Sequence, residues 1–270
     1  MSLAVQKQTS VDIHMQYRFK VRLVVLALLR KYTFPRRVAD HISCIILLIS
    51  GKGRHFCGGS LIAPNVVLSV AHCHQPMIEV KAVIGRHDLR NTNVGEEIVV
   101  KKQIPHPQYD ETSTDFDYMI MILERDATEV TDFVKVSSEF VGEDIAVTTM
   151  GYGDTYSPHD IKYPAPTLQE AEVFTYTNED CDATTGTLGG TESHGWMVGG
   201  VDGSYEGMIS DQMICASDVG KDSCYGDSGK SAFVLFHHVN ACVQYDVLVI
   251  YSLCLNLACL YLIAFTNHIY

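Results

Sequence analysis

Positive charge is scarce in this chain. Its 270 residues hold 20 Lys and Arg against 32 Asp and Glu, a formal net charge of −12. That balance excludes a basic nucleic-acid-binding module, which needs a cationic surface for phosphates. It favours solubility and names no substrate. Cys-x-x-Cys pairs are absent, which speaks against a zinc knuckle or a thioredoxin-type redox site. No long stretch shows the 3.6-residue apolar period of an amphipathic helix. The glycines of 184–207 have no strand–turn–helix context, so a dinucleotide fingerprint is excluded and the segment is expected to be a surface loop. At 47% hydrophobic and 19% charged, the chain is neither a disordered tail nor a collagen-like repeat.

Cysteine, by contrast, is abundant: nine, at positions 44, 57, 73, 181, 215, 224, 242, 254 and 259. This count reads as a disulfide framework made in an oxidising compartment, with buried free thiols as the alternative. Being odd, it leaves at least one cysteine without an intramolecular partner. The length suits one large domain or two small ones, and all-β barrels commonly reach it as one unit.

The chain divides into three zones. In 1–37, Arg18, Lys20 and Arg22 precede the short apolar run 23–29, which Arg30 and Lys31 follow in place of a small-residue cleavage site; this is a leader, read as a signal or signal-anchor with a propeptide, or else as a mis-called start of the chain. Residues 38–229 read as all-β. Short apolar runs at 45–49, 60–71, 79–84, 97–101 and 118–123 are punctuated by Gly, Pro, Asn and Asp, the pattern of a barrel or sandwich. Residues 230–270 form a divergent apolar tail. In 247–265 only Ser252 and Asn256 are polar, which suits a membrane span or two buried strands. The tripeptide Gly229-Lys230-Ser231 is also what GGT-AAG-Tnn encodes, the sequence of a splice donor, so translated intron is a further reading of the tail.

Three segments carry chemistry: HFCGGSLIAPNVVLSVAHC at 55–73, DFDYMIMIL at 115–123 and KDSCYGDSGK at 221–230. They offer His72, Asp117 and Ser228. A serine hydroxyl is a poor nucleophile at neutral pH and needs an imidazole to take its proton. The imidazole in turn needs a carboxylate to fix its tautomer and stabilise its cation. Asp117 lies at the entrance of an apolar strand. Ser228 lies between Gly226-Asp227 and Gly229, where glycines permit a tight turn with N–H groups facing a developing oxyanion. Taken singly, each residue reads as a structural histidine, a turn aspartate or a Gly-rich turn. Together, in the order His, Asp, Ser, they form a set with chemical meaning.

The strings CGGSLI (57–62), SVAHC (69–73), HPQY (106–109), GYG (151–153), LQEAEV (168–173), QMICA (212–216) and KDSCYGDSG (221–229) resemble the trypsin-like, chymotrypsin-fold serine proteases. This resemblance implies an all-β fold of two antiparallel six-stranded β-barrels, with the second left incomplete by the divergent tail. It implies a serine endopeptidase working through an acyl-enzyme, with His72 as general base, Asp117 as its orienting carboxylate and Ser228 as nucleophile. The N–H groups of Gly226 and Ser228 would form the oxyanion hole. Asp222, six residues before Ser228, would floor the specificity pocket and select Lys or Arg. Asp227 would receive the amino group freed by zymogen cleavage. The best-placed cleavage point is Arg37–Val38, although Ala39 and Asp40 follow where the family has glycines. The resemblance pairs Cys57 with Cys73 and Cys181 with Cys215; the family's partner for Cys224 falls in the divergent region. Glu96 and Glu97 lie where a calcium loop would fall, but His87 and Asp88 stand near its first acidic ligand, so neither a metal nor a cofactor is expected. Expected partners are protein or peptide substrates with Lys or Arg at the cut, and protein protease inhibitors. The expected location is extracellular, with membrane anchoring through 247–265 as the alternative. The broken activation sequence supports a second reading, a catalytically impaired homologue acting as a binding module or decoy.

Overall fold

The computed structural model describes residues 45–130, 133–136, 142–153, 164–183, 185–188, 191–193, 196–198, 201–218, 227–229, 232–233, 243–244, 250–251 and 260–263. The leader, Arg37, Val38, Asp222, Cys224 and Gly226 lie outside these residues.

Strand β1 (Ile45–Ser50) is an unbroken apolar run, and its first five residues are all buried. Side chains alternate between the two faces of a strand, so such a run needs cover on both. Ile46 and Leu48 point into a cluster with Leu61, Met119, Met121 and Leu123. Ile45, Leu47 and Ile49 point the other way, onto Met150, Tyr152 and Leu168 of the later part of the chain. One strand thus lines the barrel interior and carries the surface on which the later part packs.

Strands β2 (His55–Ala63), β3 (Val66–Ser69), β4 (Val80–Ile84), β5 (Glu96–Pro105) and β6 (Met119–Leu123) complete a closed six-stranded barrel in the order β1-β2-β3-β6-β5-β4. All neighbours are antiparallel. The expected run 60–71 is two strands rather than one. Pro64 and Asn65 turn the chain between them, their carbonyls accepting from the N–H of Ala127 at 2.8 Å and of Leu123 at 2.9 Å. Proline has no N–H to give a ladder, so it marks the break.

After β7 (Lys135–Val136) come β8 (Ala146–Gly151), β9 (Gln169–Tyr176) and the short helix α1 (Asn178–Asp182). Thr177 caps α1, its hydroxyl oxygen accepting from the Asp180 N–H at 3.0 Å, and acidic Glu179 and Asp180 occupy the favourable first turn. The segment expected to be a loop contains two hairpins: β10 (Thr185–Leu188) pairs with β13 (Val201–Ser204), and β11 (Thr191–Ser193) pairs with β12 (Trp196–Val198). Gly-Gly dipeptides punctuate the sequence between the paired pieces, while Thr, Val and Trp supply strand-forming side chains.

The remaining strands are β14 (Met213–Ser217), β15 (Ala232–Phe233), β16 (Val243–Gln244), β17 (Ile250–Tyr251) and β18 (Leu260–Ile263). The second sheet runs β15-β8-β9-β14-β18-β17, and β16 pairs in parallel with β7. Among the described residues this sheet does not close, so of the two barrels expected one is complete and the other is an open six-stranded sheet. Its edges among the described residues are β15 and β17, each described over two residues. The 247–265 run contributes β17 and β18, which pair with each other. No helix among the described residues is long and apolar enough to cross a membrane.

Candidate active site

Strand register brings the first two candidate residues together. Ser69 at the end of β3 faces Met119 at the start of β6. His72 lies three residues beyond Ser69, in a 3₁₀ turn at Ala71–Cys73, and Asp117 lies two residues before Met119. Both therefore emerge from the same end of one antiparallel ladder. The Asp117 carboxylate is fully buried and the His72 side chain is 24% exposed. Oδ1 accepts from the His72 backbone N–H at 2.8 Å, and Oδ2 lies 2.5 Å from His72 Nδ1. For the carboxylate to accept here the imidazole proton must sit on Nδ1, which makes Nε2 the acceptor nitrogen of the ring. The arrangement suits a general base.

The approach to Asp117 is conformationally costly. Thr114 has φ 59° and Phe116 φ 53°, each worth roughly 1–2 kcal/mol against an ordinary backbone. Packing helps to hold the turn. The Phe116 ring stacks on His106 at 4.9 Å, and His106 meets Tyr118 at 4.4 Å. The Tyr118 N–H donates to the Phe116 carbonyl at 2.7 Å, and the His106 N–H to the Tyr118 carbonyl at 2.9 Å. Burial lowers the His106 pKa and raises that of Tyr118, favouring the neutral form of each.

The predicted disulfides Cys57–Cys73 and Cys181–Cys215 are both present. The first ties β2 to the turn that carries His72. A His72 ring nitrogen and the two sulfurs all lie within 4.8 Å of one another, but the sulfurs are bonded to each other and so are not thiolate metal ligands.

Ser228 belongs to a turn docked on the same segment. Its carbonyl accepts from the Gly58 N–H at 2.7 Å. The Gly58 carbonyl in turn accepts from the Ser69 hydroxyl at 2.8 Å, three residues before His72. Gly229 has φ +81°, and a Cβ there would lie 2.5 Å from the Gly58 carbonyl oxygen and 2.6 Å from Ser69 Oγ. Glycine is what lets the Ser228 turn approach the β2–β3 hairpin. The neighbouring Asp227 carboxylate accepts from the Gly153 N–H at 2.7 Å, and a Cβ on Gly153 would overlap it.

Further contacts brace this junction. Buried Tyr152 donates its hydroxyl to the Arg86 carbonyl. Arg86, also buried, reaches the Val94 carbonyl at 2.8 Å, the Thr92 carbonyl at 3.2 Å and Glu97 Oε1 at 3.1 Å. Glu96 accepts from Arg125, from the Thr128 N–H at 2.8 Å and from the Thr128 hydroxyl at 3.1 Å. Burial opposes its charge, but these donors outweigh burial and hold its pKa at about 2. Both acidic residues weighed as calcium ligands are thus engaged by protein donors. The sequence analysis names the CGGSLI, SVAHC and GYG strings but gives no role to Gly58, Ser69, Tyr152 or Gly153. The one signal available for them was membership of those strings.

Comparison with known proteins places the chain among relatives. The sequence model described as Trypsin matches residues 36–244. Trypsin-2 of Salmo salar is 33% identical over 183 residues, covering 66% of this chain and 68% of that protein. Trypsin-1 of the same organism is 32% identical, covering 66% and 65%. The matched stretch is about two thirds of each relative's length. Among solved structures, neuropsin, a serine protease expressed in the limbic system of mouse brain, superposes with a TM-score of 0.67 at 22% identity, covering 86% of this chain and 93% of its own. That likeness identifies the fold.

Proposed function

This chain belongs to the trypsin family, and on that footing we propose that it is a serine endopeptidase cutting after Lys or Arg. Ser228 Oγ attacks the scissile carbonyl and passes its proton to His72 Nε2, while Asp117 holds Nδ1–H and stabilises the imidazolium. The N–H groups of Gly226 and Ser228 receive the oxyanion. The imidazolium protonates the leaving amine, and water, deprotonated by the same base, releases the acyl group from Ser228. Asp222 pairs with the basic side chain before the scissile bond. Asp227 takes the amino group of Val38 after cleavage at Arg37–Val38. The protease domain is assigned to 38–229.

The observation that carries this reading is the 2.5 Å contact between His72 Nδ1 and the fully buried Asp117 carboxylate. A buried charge is costly unless paired, and this one orients an imidazole through Nδ1, so that Nε2 is the nitrogen that accepts the proton in the proposed step. The docking of the Ser228 turn on Gly58 supports it further. Two disulfides support an oxidising, extracellular setting, where protein protease inhibitors are natural partners.

The specificity is tested by digesting a denatured protein with the processed enzyme and mapping the new C-termini by mass spectrometry. Lys and Arg are expected at those termini, and Asp222→Ser should abolish the preference. Termini spread over apolar residues would refute the basic pocket.

A further inference from the structure

The segment entering Asp117 has a tether that the catalytic scheme does not use. Thr114 and Phe116, on either side of Asp115, have φ 59° and 53°. The Asp115 carboxylate accepts from the Ser210 hydroxyl, 95 residues further along the chain. Its backbone is engaged too: the carbonyl accepts from the Asp110 N–H at 3.1 Å, and its own N–H donates to Ser113 Oγ at 3.3 Å. The far end of the tether is firmly held. The Ser210 carbonyl accepts from Asn178 Nδ2 at 3.0 Å and from the Met213 N–H at 3.1 Å, and its Oγ accepts from the Gln212 N–H at 3.2 Å. Asp182 Oδ1 accepts from the N–H groups of Gly207 at 2.8 Å and Ile209 at 3.3 Å. Helix α1 thus fixes both sides of the loop that bears Ser210, and β14 continues directly from it into the disulfide at Cys215.

We propose that Asp115 is a positioning residue: anchored by Ser210, it holds the left-handed turn at Thr114–Phe116 and thereby aims the Asp117 carboxylate at His72 Nδ1. The reason is mechanical. A backbone with two residues at positive φ relaxes toward ordinary angles unless something over-determines it. Asp115 lies between the two strained residues, and Asp117 is two residues away. The contacts at Asp110, Ser113 and His106 are local in the chain, whereas Ser210 fixes the turn to a distant segment that α1 holds. Relaxation of the turn rotates the carboxylate, and small displacements of a catalytic group are expensive. Asp115 touches no reacting atom, so its effect belongs to kcat rather than KM. This role presupposes the proposed hydrolase, but the geometry it governs can be read without catalysis.

The test compares Asp115→Ala, Ser210→Ala, the double variant and Asp115→Asn in the chain processed at Arg37–Val38. Two readouts are used: kcat and KM on a small Arg ester, and the far-downfield proton resonance of His72 Nδ1–H. Each Ala variant should lower kcat by about tenfold to a hundredfold with KM little changed. The double variant should be no worse than either single one, and Asp115→Asn, which keeps an acceptor for Ser210, should retain most of the rate. The Nδ1–H resonance should broaden or vanish in the Ala variants and survive in Asp115→Asn. Unchanged resonances, or effects that multiply in the double variant, would overturn the proposal. A wild-type chain that shows the resonance but hydrolyses no ester would sink the hydrolase reading and leave the tether to be judged by the resonance alone. Ser210→Ala removes a single half-buried hydroxyl and keeps the test open should Asp115→Ala fail to fold.

Discussion

At the scale of single residues, two buried carboxylates, Asp117 and Glu96, have different partners and different uses. Asp117 is buried against an imidazole, and its replacement by Asn should leave the fold intact while presenting His72 with a donor where an acceptor is needed. A fall in kcat of about 10⁴-fold is expected, with thermal unfolding little changed. Glu96 serves stability instead. Its pKa is held at about 2, below the ordinary 4.5, because Arg125 and Thr128 outweigh burial. A depressed folded-state pKa contributes stability at pH values above the unfolded value and loses it as pH falls through the folded one. Glu96→Gln should therefore cost on the order of 1–2 kcal/mol at pH 7, the figure being reduced because Arg125 is half exposed. The difference from wild type should shrink between about pH 4.5 and about pH 2, as denaturant melts at several pH values would reveal.

At the scale of elements, the strands of the barrel were legible because their physics is local. Five apolar residues in a row at Ile45–Ile49, stopped by Ser50-Gly51, have the length and β-branched content of a strand covered on both sides, and Pro64-Asn65 is a break that proline chemistry announces. The disulfides followed from the resemblance and are present. What the sequence reading overlooked was pairing at a distance. The 185–204 hairpins read as a loop in the sequence because glycine is the commonest residue there, while the Thr and Val that pair across the ribbon carry no periodic signal. Asp115–Ser210 and Tyr152–Arg86 join residues 95 and 66 positions apart, and no spacing rule anticipates them. The turns are where such packing is most exposed to mutation. Gly229→Ala should force a Cβ against the Gly58 carbonyl at a backbone φ of +81°. Serine labelling by an active-site phosphonate should then be lost or strongly slowed, with the barrel strands retained by circular dichroism. Normal labelling in that variant would show that the turn does not need its close approach to β2.

At the scale of the whole molecule, the tail bears on whether the second half can stand. Strand β18 pairs with β14 through four residue pairs and β15 with β8 through two, so residues beyond Ser228 supply three of the six strands in that sheet. Ending the chain at Gly229 should expose the edges of β8 and β14 and turn a soluble product into an aggregating one. A soluble, cooperatively melting truncated chain would instead mark the tail as dispensable. The family's architecture was legible from short strings, whereas the open second sheet was foreseen only as an incompleteness, because 230–270 carries none of those strings.

If His72, Asp117 and Ser228 act as one unit, Ser228 reacts with a covalent serine probe only while His72 is in place. The processed protein is treated with a fluorophosphonate and the modified residue located by mass spectrometry, alongside His72→Ala and Ser228→Ala. A single adduct on Ser228, lost in Ser228→Ala and slowed by orders of magnitude in His72→Ala, is the predicted result. An unlabelled Ser228 in a folded, processed chain, or labelling indifferent to His72, would contradict it.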